Sequence, residues 1–226
     1  ANYHDERIRH VANPARTSLV AQRNQAVELA RGEWLAMLDA DDIAEPHRLA
    51  TQWEYVQSHP ELDVLGSQML IIGPSSEPLG HRVYPQSHGE IVAAMRRLNP
   101  LAQSTVFVRR DRVVGIGGYQ YQRYSVAEDY DLWCRLLSAG ATFANHPEQL
   151  LRYRIQPDQT KSIRLREHIL ATLDIKQTYW RSQLNFGDRV RLMLERTLLV
   201  LPPSFVLWLF TRTQYRKSDR VSARNE

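Results

Sequence analysis

A single cysteine, Cys134, occurs in 226 residues, so no disulfide can form within the chain and a reducing compartment is expected. By itself that cysteine reads as a small buried hydrophobe. Long apolar runs are also missing. The longest, "LLVLPPSFVLWLF" at 198–210, has thirteen residues and is broken by two prolines, too short to cross a bilayer core of roughly 30 Å as a helix. Charge of one sign is scarce as well. The formal net charge is +4, and residues 211–226 hold five basic and two acidic side chains. The first 210 residues are therefore almost balanced, with 24 basic and 23 acidic side chains and no basic stripe with interleaved aromatics, which argues against a nucleic-acid partner. The opening "ANYHDERIRH" is polar and charged, so no secretory signal is expected within it, and a cytoplasmic location follows.

What the sequence does contain is enough apolar material for one sizeable domain, with 43% hydrophobic and 24% charged residues. "IRHV" reads as a short strand. "SLVAQRNQAVELARGE" reads as a helix with Leu19, Ala26, Leu29 and Ala30 on its apolar side and Gly32 as its stop. "WLAMLD" has the length of a buried strand. A helix then starts at Pro46, with Leu49, Trp53 and Val56 at helical spacing, and ends at Pro60. "DVLGSQMLIIG" is a strand, "PSSEPLG" a turn, "GEIVAAMRRL" a helix and "STVFVRR" a strand. The glycine-rich "GIGGYQYQRYSV" is a loop, "AEDYDLWCRLLSAGA" a helix closed by Gly140, and "TFANHPEQLLRYRI" one or two strands. A further helix is expected over 161–182. Alternating strands and helices imply an α/β layered fold over residues 1–182, with 183–226 as an amphipathic and basic appendage.

The run "WLAMLDADD" ends an apolar strand on three carboxylates, Asp39, Asp41 and Asp42. In open α/β sheets ligands collect beyond the carboxyl ends of the strands. If the backbone stays extended, Asp39 and Asp41 project to one side, where converging carboxylates are unstable alone and favourable around a hard divalent cation. A cation held by so few protein ligands takes the rest from water and substrate phosphates, so a bound diphosphate is suggested. The bland alternative is that the acids cap the next helix. Glu128, Asp129 and Asp131 form a second cluster in the first turn of a helix. Helix capping explains them equally well, and a general base toward a hydroxyl is the functional option. Sequence spacing does not show whether the two clusters meet.

"RNQAVELARGEWLAMLDADDIAEPHRLATQWEYVQSHPELDVLGS" resembles the metal-binding half of family 2 glycosyltransferases of the GT-A fold. "NPLAQSTVFVRR", "GGYQYQRYSVAEDYDLWCRLLSAG" and "PEQLLRYRIQPDQTKS" resemble the acceptor half of that family, in the expected order, so the likeness spans residues 5–162. The resemblance implies an inverting, metal-dependent glycosyltransferase with a Rossmann-like GT-A sheet. Its donor would be a nucleotide-diphosphate sugar, its acceptor a glycan or lipid-linked hydroxyl, and its place surface glycan or polysaccharide biosynthesis. By the same likeness Asp39 contacts the ribose or donor sugar and Asp41 the Mn²⁺ or Mg²⁺, with Asp39 beside it as a metal ligand. Asp42, Gly117, Gly118 and Tyr119 belong to the donor site, Asp129 is the catalytic base and Glu128 its neighbour. Two departures stand out. Gln156 replaces a frequent histidine, which weakens the expected metal site, and "ANYHDERIRHV" supplies none of the family's base-binding strands, so about sixty to ninety residues are expected to be missing in front. The alternative function is therefore a catalytically silent fragment that binds a sugar or partner. An aspartyl phosphatase of the haloacid dehalogenase type expects Thr or Val where Asp42 and Ile43 stand, and it leaves "AEDYDLW" unexplained. The apolar and basic tail, with Trp208 and Tyr215, suits a peripheral position at the inner face of the membrane, and the alternative is that residues 198–210 pack back on the domain as core or mediate a dimer.

Overall fold

The computed structural model describes residues 5–120, 126–155 and 164–202, with 204–206, 209 and the backbone of 216–217. Gln156, Trp208 and Tyr215 lie outside the described residues. The chain begins with α1 (Leu19–Leu29), whose first free N–H groups are met by the Ser18 side chain accepting from the Ala21 N–H. Next come β1 (Trp34–Ala36), β2 (Ile43–Ala44), α2 (Arg48–Ser58) and β3 (Val64–Ile72). They are followed by β4 (Pro78–Arg82), α3 (His88–Met95), a single 3-10 turn (Gln103–Thr105), β5 (Phe107–Arg109) and α4 (Arg110–Gly115). The rest is α5 (Glu128–Ser138), β6 (Phe143–Arg154), α6 (Leu165–Trp180), α7 (Phe186–Thr197) and β7 (Arg216–Lys217).

β3 is almost wholly buried on both faces, so it is apolar at both ends without alternating, and Ser67 and Gln68 in its middle are buried too. β6 lies parallel to it from Val64↔Phe143 to Ile72↔Arg154, with register breaks around Gln68. Along its other edge β3 meets β5 antiparallel in its first half and β4 antiparallel in its second. β1 pairs antiparallel with β5, so β1, β3 and β6 point the same way. The main core fills the space between this sheet and α1, α3 and α5, around Val64, Ile91, Val108, Trp133 and Phe143. α5 ends as expected at Gly140, whose φ of 81° lets the Ala141 N–H reach the Leu136 carbonyl and the Gly140 N–H the Leu137 carbonyl. A second core joins α6 to α7 through Leu165, Ile169, Leu173 and Leu192, with Val206 buried against them.

Four expectations are corrected. "IRHV" forms no strand, and Ile8 and Val11 are exposed. "PSSEPLG" is a turn only at its start, because Pro78 already opens β4. On α1 the buried residues are Val20 and Val27, while Leu19 and Leu29 face solvent. On α2 Leu49 and Trp53 are 58% and 48% exposed, and the inner face is Arg48, Gln52 and Val56. The reason on α2 is hydrogen bonding. The Arg48 guanidinium donates to the Met37 carbonyl (2.8 Å), to the Val106 carbonyl and to Gln52 Oε1, while Gln52 Nε2 donates to the Thr105 carbonyl (2.8 Å). α2 thus satisfies carbonyls left open where β1 ends and β5 begins, a demand that buried backbone groups impose on any fold.

Candidate active site

The acidic run does not continue as a strand. Past Ala36 the Met37 N–H still bonds the Val106 carbonyl, and the Asp39 N–H goes to the Ser104 hydroxyl (3.2 Å). The chain then turns, closed by the Asp42 N–H on the Asp39 carbonyl (3.2 Å), and runs back as β2 along β6. The extended geometry expected for Asp39 and Asp41 is therefore replaced by a turn. Arg154 at the carboxyl end of β6 fastens that turn, its N–H donating to Asp42 Oδ1 (2.9 Å) and its Nε to the Asp41 carbonyl (2.9 Å). The acids do not cap α2, whose N-cap is His47 with no side-chain capping bond and whose first turn has no acidic residue.

The three carboxylates occupy different environments. Asp39 and Asp41 are partly exposed, whereas Asp42 is buried. Burial pushes the Asp42 carboxyl up to about 6, with the Ser104 hydroxyl and the Arg154 N–H opposing and Asp41 and Asp39 adding repulsion. Behind the turn, burial lowers the Arg48 guanidinium to about 10, with the charge of Asp42 opposing. That buried cation is the fixed countercharge to the acid turn.

The second acidic cluster opens α5 after Ala127, a non-glycine residue held at φ 60°. Asp129 is partly exposed. Its Oδ2 accepts from Asn99 Nδ2 (2.9 Å) and its Oδ1 from the Tyr130 N–H (2.8 Å). Asp131 turns away to Arg135 and to the Tyr179 hydroxyl on α6, so it anchors helices. Glu128 is buried, and burial followed by the neighbouring Asp129 raises its carboxyl to about 7 against the pull of Arg23.

Arg23 joins the two clusters. Its guanidinium bonds Asp39 Oδ1 (3.1 Å) through one nitrogen and Glu128 Oε1 through the other, and it lies 5.5 Å from the centre of the Tyr119 ring. Burial works against its charge, yet Glu128 and then Asp39 outweigh that and its pKa is raised. The adjacent Asn24 holds the glycine loop, donating to the Tyr119 carbonyl and accepting from the Tyr119 N–H, both at 2.8 Å. Gly117 and Gly118 have φ of 80° and 68°, and a Cβ on Gly118 would come within 2.5 Å of Asn24 Oδ1, so this approach requires glycine. Tyr119 is pinned at its other end, where Gln103 Nε2 donates to its hydroxyl (2.6 Å).

Arg23 thus brings Asp39, Glu128 and the Tyr119 ring together, with Asp129 in the same first turn of α5, whereas the carboxylate of Asp42 is enclosed and Asp131 turns away. Sequence reasoning missed Arg23, Asn24, Asn99, Arg48 and Arg154 as parts of the site. Arg23 and Asn24 carried a signal, because with Val20 and Val27 they fall at i, i+3, i+4 and i+7, placing a polar pair on the buried face of α1. Among the described residues no three His, Cys, Asp or Glu side chains converge as a metal cluster. A separate groove lined by Asp63, Arg109, Arg112 and Ile116 lies at the far end of β5, where the arginines are already matched by Asp63 and Glu33.

The chain is 26% identical over 224 residues to an uncharacterised glycosyltransferase of Methanocaldococcus jannaschii, covering 95% of this chain and 76% of that one. It is 33% identical over 62% of its length to the amylovoran biosynthesis glycosyltransferase AmsE of Erwinia amylovora, of which it spans 52%, about half. A mannosyltransferase of Pyrobaculum calidifontis, solved in complex with GDP-Man and Mn²⁺, superposes with a TM-score of 0.50 at 12% identity over 89% of this chain and 66% of that one. The mixed sheet with flanking helices is the GT-A architecture expected from the sequence. A family model described as "Glycosyl transferase family 2" matches residues 1–116, half of the chain. That span holds the acid turn, the buried Arg48 behind it and the arginine that ties it across the cleft, and the chain belongs to glycosyl transferase family 2.

Proposed function

We propose that this chain transfers a sugar, with inversion, from a nucleotide-diphosphate sugar to a hydroxyl of a glycan or lipid-linked acceptor, with residues 1–182 as the transferase unit. The observation that carries the proposal is the Arg23 bridge, which brings the Asp39 turn and the first turn of α5 to one cleft. The relative in Erwinia is named for polysaccharide biosynthesis, which supports a surface polysaccharide as the product class.

Asp39 and Asp41 are partly exposed hard oxygen donors on the turn, and a divalent cation held there would take its other ligands from water and phosphate. When bound there, Mn²⁺ or Mg²⁺ would supply positive charge to the departing diphosphate. Asp42 sets the turn through Arg154, and Asp39, held by Arg23 at Oδ1, is the acid assigned to the ribose or donor sugar. Gly117, Gly118 and Tyr119, clamped by Asn24, form the wall of the sugar pocket. Asp129 takes the proton of the acceptor hydroxyl as that oxygen bonds the anomeric carbon and the bond from that carbon to the diphosphate breaks. Asn99 orients the base, and Glu128 with Arg23 keeps the first turn of α5 facing the donor.

The experiment is turnover by the Asp129→Asn variant with a panel of nucleotide sugars and a glycan extract as acceptor, reading nucleoside diphosphate release and product anomer. The amide keeps the shape of the site, so the melting temperature should hold while turnover falls by about 10² to 10⁴. A variant with more than a third of wild-type activity, or a product that retains configuration, would refute the mechanism.

A further inference from the structure

Of the apolar run at 198–210, Leu198, Leu199 and Leu201 pack on the α6–α7 core and Val206 is buried, while Val200 and Phe205 are exposed. A longer exposed apolar stripe lies one helix earlier. On α7, Phe186, Val190, Met193 and Leu194 recur at i, i+4, i+7 and i+8 on the side opposite the buried Asp188 and Leu192, with Phe186 83% and Met193 68% exposed. Both acids of the helix point inward, Asp188 to Arg97 and Glu195 to the buried Lys176. Arg189 and Arg196 are exposed along one margin of the stripe and have no carboxylate partner among the described residues. Arg189 also shares a polar hollow with Arg181, Gln177, Thr178 and Ser182. An outward face of this kind has apolar side chains to bury, arginines beside them and its acids withdrawn. The basic excess of residues 211–226 adds positive charge to the same end of the chain.

We propose that this face of α7 docks the protein on an acidic lipid surface. Phe186, Val190, Met193 and Leu194 enter the boundary between headgroups and acyl chains, and Arg181, Arg189 and Arg196 contact headgroup phosphates. The docking goes beyond the transfer reaction and uses none of its catalytic residues. For a transferase with a lipid-linked or surface acceptor it would hold the cleft where that acceptor is displayed. No described helix is long and apolar enough to cross a membrane.

The test is co-sedimentation of the full chain, without nucleotide or acceptor, with vesicles of phosphatidylcholine alone or with about one part in three phosphatidylglycerol. Two variants accompany it, F186S/M193S and R189E/R196E, whose altered side chains are solvent-exposed and should leave the melting temperature unchanged. Wild type should partition to the acidic vesicles at least about tenfold more than to the neutral ones, and added salt should weaken this. F186S/M193S should lose about tenfold on both, and R189E/R196E should lose the acidic preference. Equal partitioning of wild type to both vesicles, or variants that sediment like wild type, would overturn the proposal. So would a wild-type dimer in lipid-free sedimentation velocity that F186S/M193S turns into a monomer, because the stripe would then be an interface between copies. Activity plays no part in these readouts, so failure here is separable from failure of the transferase reading.

Discussion

Asp39, Asp41 and Asp42 are neighbours in sequence, yet burial separates them into two partly exposed carboxylates and one enclosed carboxylate that fastens the turn to β6. A carboxyl raised to about 6 from an ordinary 3.8 binds its proton more tightly in the folded state than in the unfolded chain. Between about pH 4 and 6 the folded state therefore holds the excess proton, and stability contributed here falls as pH rises through that window. The Asp42→Asn variant still offers an oxygen to the Arg154 N–H and removes the titration. Its stability relative to wild type should improve by about 2 kcal/mol from pH 4 to 6.5, read by urea denaturation across that range. A pH-independent gap would show that Asp42 is not a buried titrating group. The three acids and the Asp129 motif were legible because their residue types are costly to crowd without a purpose. Their division of labour was not, since it depends on Arg154, more than a hundred residues further along the chain.

At the scale of elements, α2 shows where periodicity misleads. Leu49, Trp53 and Val56 satisfy helical spacing, but the helix is docked through Arg48 and Gln52 onto open carbonyls, and apolar counting cannot see a carbonyl that lacks a partner. The same holds for α1, whose cleft face carries Arg23 and Asn24. β3 and the end of α5 were legible, because β-branched and aliphatic residues flanking positions 66–68 and a glycine stop each report a local demand. Gln52→Leu should destabilise the protein by about 1–3 kcal/mol, as the Thr105 carbonyl and an Arg48 N–H lose their buried partner. Trp53→Ser, on the exposed side, should stay within about 0.5 kcal/mol. Urea midpoints of the two variants decide this, and the opposite ranking would return the apolar face of α2 to the core.

For the whole molecule, the parallel course of β1, β3 and β6 brings the ends of β1 and β6 together, and α1 bridges from there to α5. The site is thus assembled by topology from four segments, each of which alone has a bland structural explanation. Its central claim is that the acid turn binds a nucleoside diphosphate through a divalent cation. Calorimetric titration of UDP and GDP into wild type, Asp41→Ala and Asp129→Asn, with Mn²⁺ or with chelator, tests it most directly. One nucleotide should bind wild type and Asp129→Asn only with Mn²⁺, and Asp41→Ala should lose at least about tenfold in affinity. Absence of binding by either nucleotide, or binding that neither chelator nor Asp41→Ala weakens, would contradict the account.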